Sequence, residues 1–424
     1  MNEFWYGEHP SKDIRRSLGE ELRDRKIVLC VCGSVAAVEA PRVARELIRH
    51  GAEVFPVVSE WGQRIIHPYL LEWATGNPVV TELTGRIEHI RLAGDHPQRA
   101  DLILIAPATA NTIGKIANGI DDTPVTSVAT TALGSGIPVM IVPAMHESMY
   151  RHPAVLENIA RLKEMRATVL EPRLEEGKAK IADIDVILET VITILTKKDM
   201  AGLKVLITAG PTYEYIDPVR IISNRSSGKM GIALAREASR RGAEVTLIYG
   251  HGTAKPPTLG VRVVMVDTTE DLCRAVTSEL NSWQCDIFIG AAAAADYTPE
   301  QSFESKIRTE SIPELNIKLK ASPKVVDEVK KISPRTFSVA FKAETDLSDR
   351  ELVERAYARL MKADIDLIVA NDVSREGVGF QVDTNEVFIV DRKKEMIHIP
   401  RRSKSLIARG VLDEILRRTG RGGQ

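Results

Sequence analysis

The sequence twice spells the same helix-to-strand junction, RHGAEVFPVVS from Arg49 and RRGAEVTLIYG from Arg240. A basic residue, a glycine and then an apolar run suit a helix that ends in a left-handed cap and turns directly into a buried strand. Each copy follows a similar opening, KIVLCVCGS from Lys26 and GLKVLITAG from Gly202, in which an apolar run stops at small residues. Strands buried on both faces read as such continuous runs, and their alternation with helices implies a parallel sheet. The junctions therefore predict two tandem, similar α/β units, each a Rossmann-like doubly wound parallel sheet. Six shared residues carry no claim of common origin.

The first unit is expected over residues 25–196, with strands at 27–32 and 53–59, a helix over about 37–49, buried strands beginning at Asp101 and Ile137, and a fifth beginning at Ala167. The second is expected over 202–424, with strands at 204–208, 244–249, 261–266, 286–290, 337–341 and 366–369. A hairpin near 379–391 is expected to turn inside FQVDTNEVFIV. Residues 1–24 read as a charged, helical N-terminal extension, KKDMAG (197–202) as a polar linker, and RRTGRGGQ (417–424) as a mobile tail.

A length of 424 residues suits two cores rather than one. Lys plus Arg total 57 against 58 for Asp plus Glu, a balance that predicts neither a nucleic-acid nor a membrane partner. The N-terminus lacks the apolar core of a signal peptide, and no apolar run reaches the length of a membrane span. Four cysteines suit a reducing, cytoplasmic compartment. Cys30 and Cys32 alternate along one apolar run and read as core residues rather than metal ligands.

Ligands of parallel sheets sit at the carboxyl ends of the strands. In the first half those ends read Gly33-Ser34-Val35-Ala36, Ser59, Ala106 to Thr112, and Pro143-Ala144-Met145-His146, all small or polar apart from Val35 and Met145. A Gly/Ser turn opening a helix offers N–H groups to a phosphate, and four such edges together favour a phosphorylated planar cofactor. In the second half, ITAGPTYEYIDPVRIISNRSSGKMG ends in Ser226-Ser227-Gly228-Lys229 at a helix start. It is neither a Walker A loop nor a G-x-G-x-x-G fingerprint, and composition leaves open an anion-binding loop or a plain capped helix.

The segment PATANTIGKIANGIDDT (107–123), with GSVAA, PAMHESMY and His89 in RIEHIRLA, resembles the flavoproteins that decarboxylate 4′-phosphopantothenoylcysteine. The resemblance spans about 25–190. It implies FMN held by Gly33, Ser34, Val35, Ser59, Thr109, Asn111, Thr112, Asp122 and the Ala144–Met145 turn. It makes His89 the active-site base, a role that spacing alone does not assign. The implied chemistry oxidises the substrate thiol to a thioaldehyde, releases carbon dioxide, and reduces the resulting enethiol. Two features depart from the family. His146 stands where P-x-M-N-x-x-M-W has its carboxylate-binding asparagine. The expected substrate flap (175–182) has no proton-donating cysteine, which leaves Lys178 or Lys180 as replacements, or simply a solvated loop.

From about residue 201 to 415 the chain resembles the ligases that join 4′-phosphopantothenate to cysteine. The match runs through the Ser-Ser-Gly-Lys segment, AAAAADYTP, KIR at Lys306, ASPKVV, FKAET and DLIVANDV. It implies CTP as co-substrate, with Mg²⁺, and an acyl-cytidylate that the cysteine amine attacks. Asn224 would handle that intermediate and Lys306 the α-phosphate. Gly290, Asp296, Phe341 and the Pro323-Lys324-Val325-Val326 loop would hold the nucleotide, with Arg359 and Lys362 as further phosphate contacts. No acidic cluster identifies metal ligands. The order of the halves is that of a bifunctional prokaryotic family. Trimeric flavin domains and dimeric ligase domains imply a homo-oligomer, up to a dodecamer. The alternatives are a ligase with an inactive or regulatory flavin half, and a flavin-binding regulatory protein.

Overall fold

The computed structural model describes residues 8–257, 260–308 and 314–421. The chain divides into two compact units after Thr196. In the first, the strands are β1 (Lys26–Val31), β2 (Glu53–Val58), β3 (Leu102–Ala108), β4 (Val139–Pro143), β5 (Met145–His146), β6 (Thr168–Val169), β7 (Arg173–Glu175) and β8 (Lys178–Lys180). The main sheet runs β2-β1-β3-β4-β6 with every pairing parallel. Cys30 and Cys32 pack into the same apolar cluster, and burial pushes the Cys32 thiol up to about 11. A small antiparallel sheet, β5-β8-β7, stands beside the end of β4.

Residues 8–24 of the N-terminal extension hold no α-helix. This described part holds one short 3₁₀ turn, Pro10–Ile14, and belongs to the first unit's core because Leu22 is fully buried there, with Ile14 packed alongside. Arg25 is tied across the sheet to Asp101 at 2.9 Å. The polar linker is also corrected. Met200 lies in the core of the second unit, and Asp199 accepts two hydrogen bonds from Arg241 at 2.7 and 2.8 Å.

The second unit contains β9 (Lys204–Ala209), β10 (Tyr213–Tyr215), β11 (Ile221–Ser223), β12 (Glu244–Tyr249), β13 (Val261–Met265), β14 (Ile287–Gly290), β15 (Tyr297–Pro299), β16 (Leu319–Ala321), β17 (Phe337–Glu344), β18 (Leu367–Asp372), β19 (Thr384–Asp391) and β20 (Met396–Ser403). Its main sheet runs β13-β12-β9-β14-β17-β18-β19-β20, parallel as far as β18 and antiparallel beyond it. The hairpin turns at residues 392–395, not inside FQVDTNEVFIV. The Asp391 carboxylate accepts the N–H groups of Lys393 and Glu395 and so builds the turn. Residues 379–382 stay out of the sheet because side chains take up their carbonyls, as described below. In the expected mobile tail, Arg417 and Arg418 close the last helix and Arg421 donates to Asp286. Residues 422–424 lie outside the described residues.

The repeated junction has the same local form in both copies: Gly51 and Gly242 follow their helices with φ of 103° and 92°. The units are nevertheless not copies. Counted along each main sheet, the strand orders are 2-1-3-4-5 and 3-2-1-4-5-6-7-8, two different doubly wound topologies. Each reverses direction at one point, between β1 and β3 and between β9 and β14, where the connections leave a crevice.

Candidate functional site

The second unit holds a cavity of about 760 Å³ at its reversal point, a volume suited to a small ligand. Backbone bonds join the two strand ends below it: Ala291 N–H to Thr208 O at 3.1 Å and Ala293 N–H to Gly210 O at 3.0 Å. Asn224 spans the cavity's edge, and its Nδ2 donates to Ala293 O and Ala294 O, each at 3.0 Å. Beside it Ser226, Ser227 and Gly228 lead into the helix Lys229–Arg240. Glycine is required at two positions here. Gly228 has φ +80°, and a Cβ on it would lie 2.6 Å from the Tyr249 hydroxyl; a Cβ on Gly231 would lie 2.3 Å from Ala209 Cβ. The helix start is thereby pressed onto the end of β9, with its N–H groups toward the cavity.

Gly290, Pro323, Val325, Val326 and Phe341 form apolar and backbone wall. Lys324, Arg359 and Lys342 join them, each held by an acid: Lys324 by Asp296, Arg359 by Asp327 at 2.6 Å, and Lys342 by Glu344 at 2.8 Å. Lys306 and Lys362 are exposed and lie outside the wall, against expectation. Lys362 stands at the exposed end of the helix Asp349–Ala363. Beside Lys306, Ile307 donates its N–H to the buried Asp217. Burial pushes the Asp217 carboxyl up, but N–H donors from Val219, Ile307 and Arg220 outweigh it and hold the group down at about 2. The sequence reading missed Lys342, Asn371 and Lys404. The first two lie within FKAET and DLIVANDV, but Lys404 lies in no motif.

In the first unit Ser34, Ser59, Thr109 and Ala144 follow neighbouring parallel strands and so share the edge that holds the other reversal point. Ser34, Ser59 and Thr109 each cap the helix that follows their strand, accepting from Ala36, Gly62 and Thr112 N–H. Thr109 and Thr112 also share a hydroxyl bond at 3.1 Å. Cys32 N–H to Pro107 O and Ala144 N–H to Ala108 O bind the strand ends together. The edge is open, with Asn111 exposed, Val35 79% exposed and Trp61 63% exposed. Asp122 faces solvent and is engaged by Lys115 at 2.7 Å, so an ion pair occupies a residue expected to reach a ligand.

His89 sits on the helix Glu88–Ala93, and its Nδ1 is buried with no hydrogen-bond partner. An unpaired buried nitrogen is costly unless a ligand satisfies it. The flap expected at 175–182 is a hairpin, β7–β8, that pairs with β5. This register sets His146 opposite Lys178 and Met145 opposite the buried Ala179. Side chains alternate across a strand, so His146 and Lys178 share the other face. Lys180 is engaged by Glu175 at 3.2 Å and Glu176 at 2.9 Å. Among the described residues no helix is long and apolar enough to cross a membrane.

The chain matches the family model described as Flavoprotein over residues 15–196 and that of the DNA/pantothenate metabolism flavoprotein C-terminal domain over 200–418. It is 49% identical over 410 residues to the coenzyme A biosynthesis bifunctional protein CoaBC of Thermococcus kodakarensis, covering 96% of this chain and 98% of the relative. The protein of that name from Methanocaldococcus jannaschii is 41% identical over 388 residues, covering 91% and 92%. The one from Bacillus subtilis is 35% identical over 412 residues, covering 93% and 97%. A crystal structure of the C-terminal domain of a CoaBC protein is 32% identical and covers 52% of this chain and 96% of its own, with a TM-score of 0.43.

Proposed function

The chain belongs to the CoaBC family of coenzyme A biosynthesis bifunctional proteins, enzymes that combine a decarboxylase with a ligase, and from that premise we propose how its two units divide the work. Residues 202–424 join 4′-phosphopantothenate to cysteine with CTP, and residues 25–196 decarboxylate the product with FMN. The observation that carries this reading is the cavity at the β9/β14 reversal, where the Asn224 carboxamide, a helix start and cations that include Lys324, Arg359 and Lys342 surround one space.

In that cavity the substrate carboxylate attacks the α-phosphorus of CTP and pyrophosphate leaves. The cysteine amine then displaces the nucleotide from the acyl-cytidylate to form the amide. Negative charge accumulates on phosphate oxygens, so fixed cations lower the barrier. Lys324 and Arg359 supply them, the Ser226–Gly228 turn takes a phosphate on its N–H groups, and Asn224 orients the acyl group. Lys306 is the cation proposed for the α-phosphate, on a segment anchored through Ile307. Mg²⁺ enters with the triphosphate, held by its oxygens.

The first edge fits FMN, because the orphaned His89 Nδ1 and the row of hydroxyls and helix starts at the β1/β3 reversal await a polar, phosphorylated partner. Gly33, Ser34, Val35, Ser59, Thr109, Asn111, Thr112, Ala144 and Met145 would hold it. When bound, the flavin supplies the two-electron oxidation of the substrate thiol and the return of hydride. His89 takes the thiol proton. His146 holds the substrate carboxylate, and Lys178, its cross-strand neighbour, gives the proton that completes the reduction. Exposed apolar residues around this edge, Val35 and Trp61 among them, support a homo-oligomer that covers it, with trimers and dimers combining into a dodecamer. The cysteine-free flap favours a second reading, a ligase whose flavin half is inactive or regulatory.

The test is to supply 4′-phosphopantothenate, cysteine, CTP and Mg²⁺ to the purified chain. CTP-dependent carbon dioxide release is expected. Pyrophosphate without carbon dioxide would leave the second reading standing, and neither product would overturn both.

A further inference from the structure

Lys404 opens the helix Lys404–Arg418 and is only 6% exposed, a depth lysine seldom reaches without a carboxylate partner. Its ammonium donates instead to three main-chain carbonyls, Gly379 O at 2.8 Å, Phe380 O at 3.3 Å and Val382 O at 2.6 Å. All three belong to one loop between β18 and β19. Lys404 N–H also donates to Asp383 O at 2.9 Å. From its other side the loop meets the Ser-Ser-Gly-Lys turn. Ser227 Oγ donates to Phe380 O, and Lys229 Nζ donates to Gln381 O at 3.0 Å and the Asp383 carboxylate at 2.7 Å. Gly379, Phe380 and Lys404 line the cavity together with Ser227 and Lys229. An ammonium has three N–H donors and no acceptor, so this carbonyl triad suits the charged form and no other.

We infer that Lys404 is a positioning residue for the nucleotide cavity: its ammonium ties the loop 379–383 to the Ser226–Lys229 turn and so sets where that turn's N–H groups stand. The inference rests on the proposed nucleotide site. Its three ammonium donors are taken up by carbonyls, so it acts through Ser227 and Lys229. A neutral amine has only two N–H groups and turns a lone pair toward the third carbonyl.

Burial, and secondarily the charge of Lys229, pushes Lys404 down to about 8, against the pull of Asp383. The unfolded chain, with an ordinary lysine near 10.4, then binds the proton more tightly than the folded one. Global stability therefore gains from this group as pH rises from about 8 to about 10. The carbonyl triad loses a donor over the same window. Nucleotide binding and thermal stability should move in opposite directions, whereas a merely structural lysine would move them together.

The experiment measures the CTP dissociation constant with Mg²⁺ and the ligand-free Tm of the full chain at pH 7 and pH 9. The wild type should bind CTP several-fold more weakly at pH 9 with no fall in Tm. Lys404→Met should bind about ten- to a hundredfold more weakly at pH 7, the loss of a charged hydrogen-bond set, and lose the pH dependence. Lys404→Arg, which stays charged, should bind equally at both pH values. Wild-type affinity in Lys404→Met, or wild-type affinity that falls only in step with Tm, overturns the inference. Should Lys404→Met fail to fold, the two wild-type measurements decide alone. A wild-type chain that binds no CTP at pH 7 overturns the functional reading instead.

Discussion

At the reversal point of the first unit, hydroxyls and small residues line an edge that stays open, and opposite charges there pair off, Lys115 with Asp122 and Arg64 with Glu60. At the reversal point of the second, a cavity of about 760 Å³ is ringed by Lys324, Arg359 and Lys342, each steadied by its own acid. On the proposed reading the same crevice of a doubly wound sheet serves two kinds of chemistry. A redox cofactor brings its own reactivity, and the protein adds orientation and a proton acceptor. Phosphoryl chemistry develops charge that only fixed cations and N–H groups can meet.

The strongest way to break this contrast is at His89. His89→Asn should lower carbon dioxide release from supplied 4′-phosphopantothenoylcysteine by about 10²–10⁴ while CTP-dependent pyrophosphate release stays at the wild-type rate. A fall in both would mean that the units do not work separately. The mirror test is Gly228→Ala, which forces a side chain toward Tyr249 at positive φ. It should cost about 1–3 kcal/mol in backbone strain, cut pyrophosphate release tenfold or more, and spare decarboxylation.

A smaller effect sharpens the flap assignment. Lys178→Met should slow formation of reduced product by about tenfold, and Lys180→Met, which loses only contacts to exposed glutamates, should stay near wild type. Equal losses would return the proton donor to an open question between the two.

The smallest effect concerns stability. Asp217 and Asp372 are both held at about 2, Asp372 by Ser374, Leu347 and Asp346 N–H and hydroxyl donors that outweigh its burial. A depressed carboxylate contributes stability that is complete above the unfolded pKa of about 4 and disappears as pH falls to about 2. Acid should therefore lower the Tm of the second unit across that window. Asp372→Asn should lower it at pH 7 by a few degrees and flatten the acid dependence. An unchanged acid profile would show that the N–H cluster does not hold Asp372 down.

Much of the site was readable in advance where function rides on local geometry. Ser34, Ser59 and Thr109 are cap residues directly after strands, and capping is a matter of three or four neighbouring positions. Asn224 and the 323–326 loop were reached through motif resemblance and do line the cavity. Lys306 and Lys362 stand outside the cavity wall, since motif membership does not say which way an exposed side chain turns. The hairpin was misplaced because FQVD alternates like a strand, yet its carbonyls are captured by Lys404 and Ser227 from elsewhere in the chain.

What the sequence by itself determined was the class of the fold, two α/β units built on largely parallel sheets, with small and polar residues after Val31, Ala108, Ala209 and Gly290. Hydrophobic periodicity and glycine caps act over a few residues and are written locally. The tertiary structure alone decided that the two sheets have different strand orders and that β8 brings Lys178 opposite His146. It alone placed a buried ammonium at 404 to hold a loop two dozen residues away. Those outcomes depend on pairings between distant segments, whose energies come from burial and from hydrogen bonds that no local pattern records.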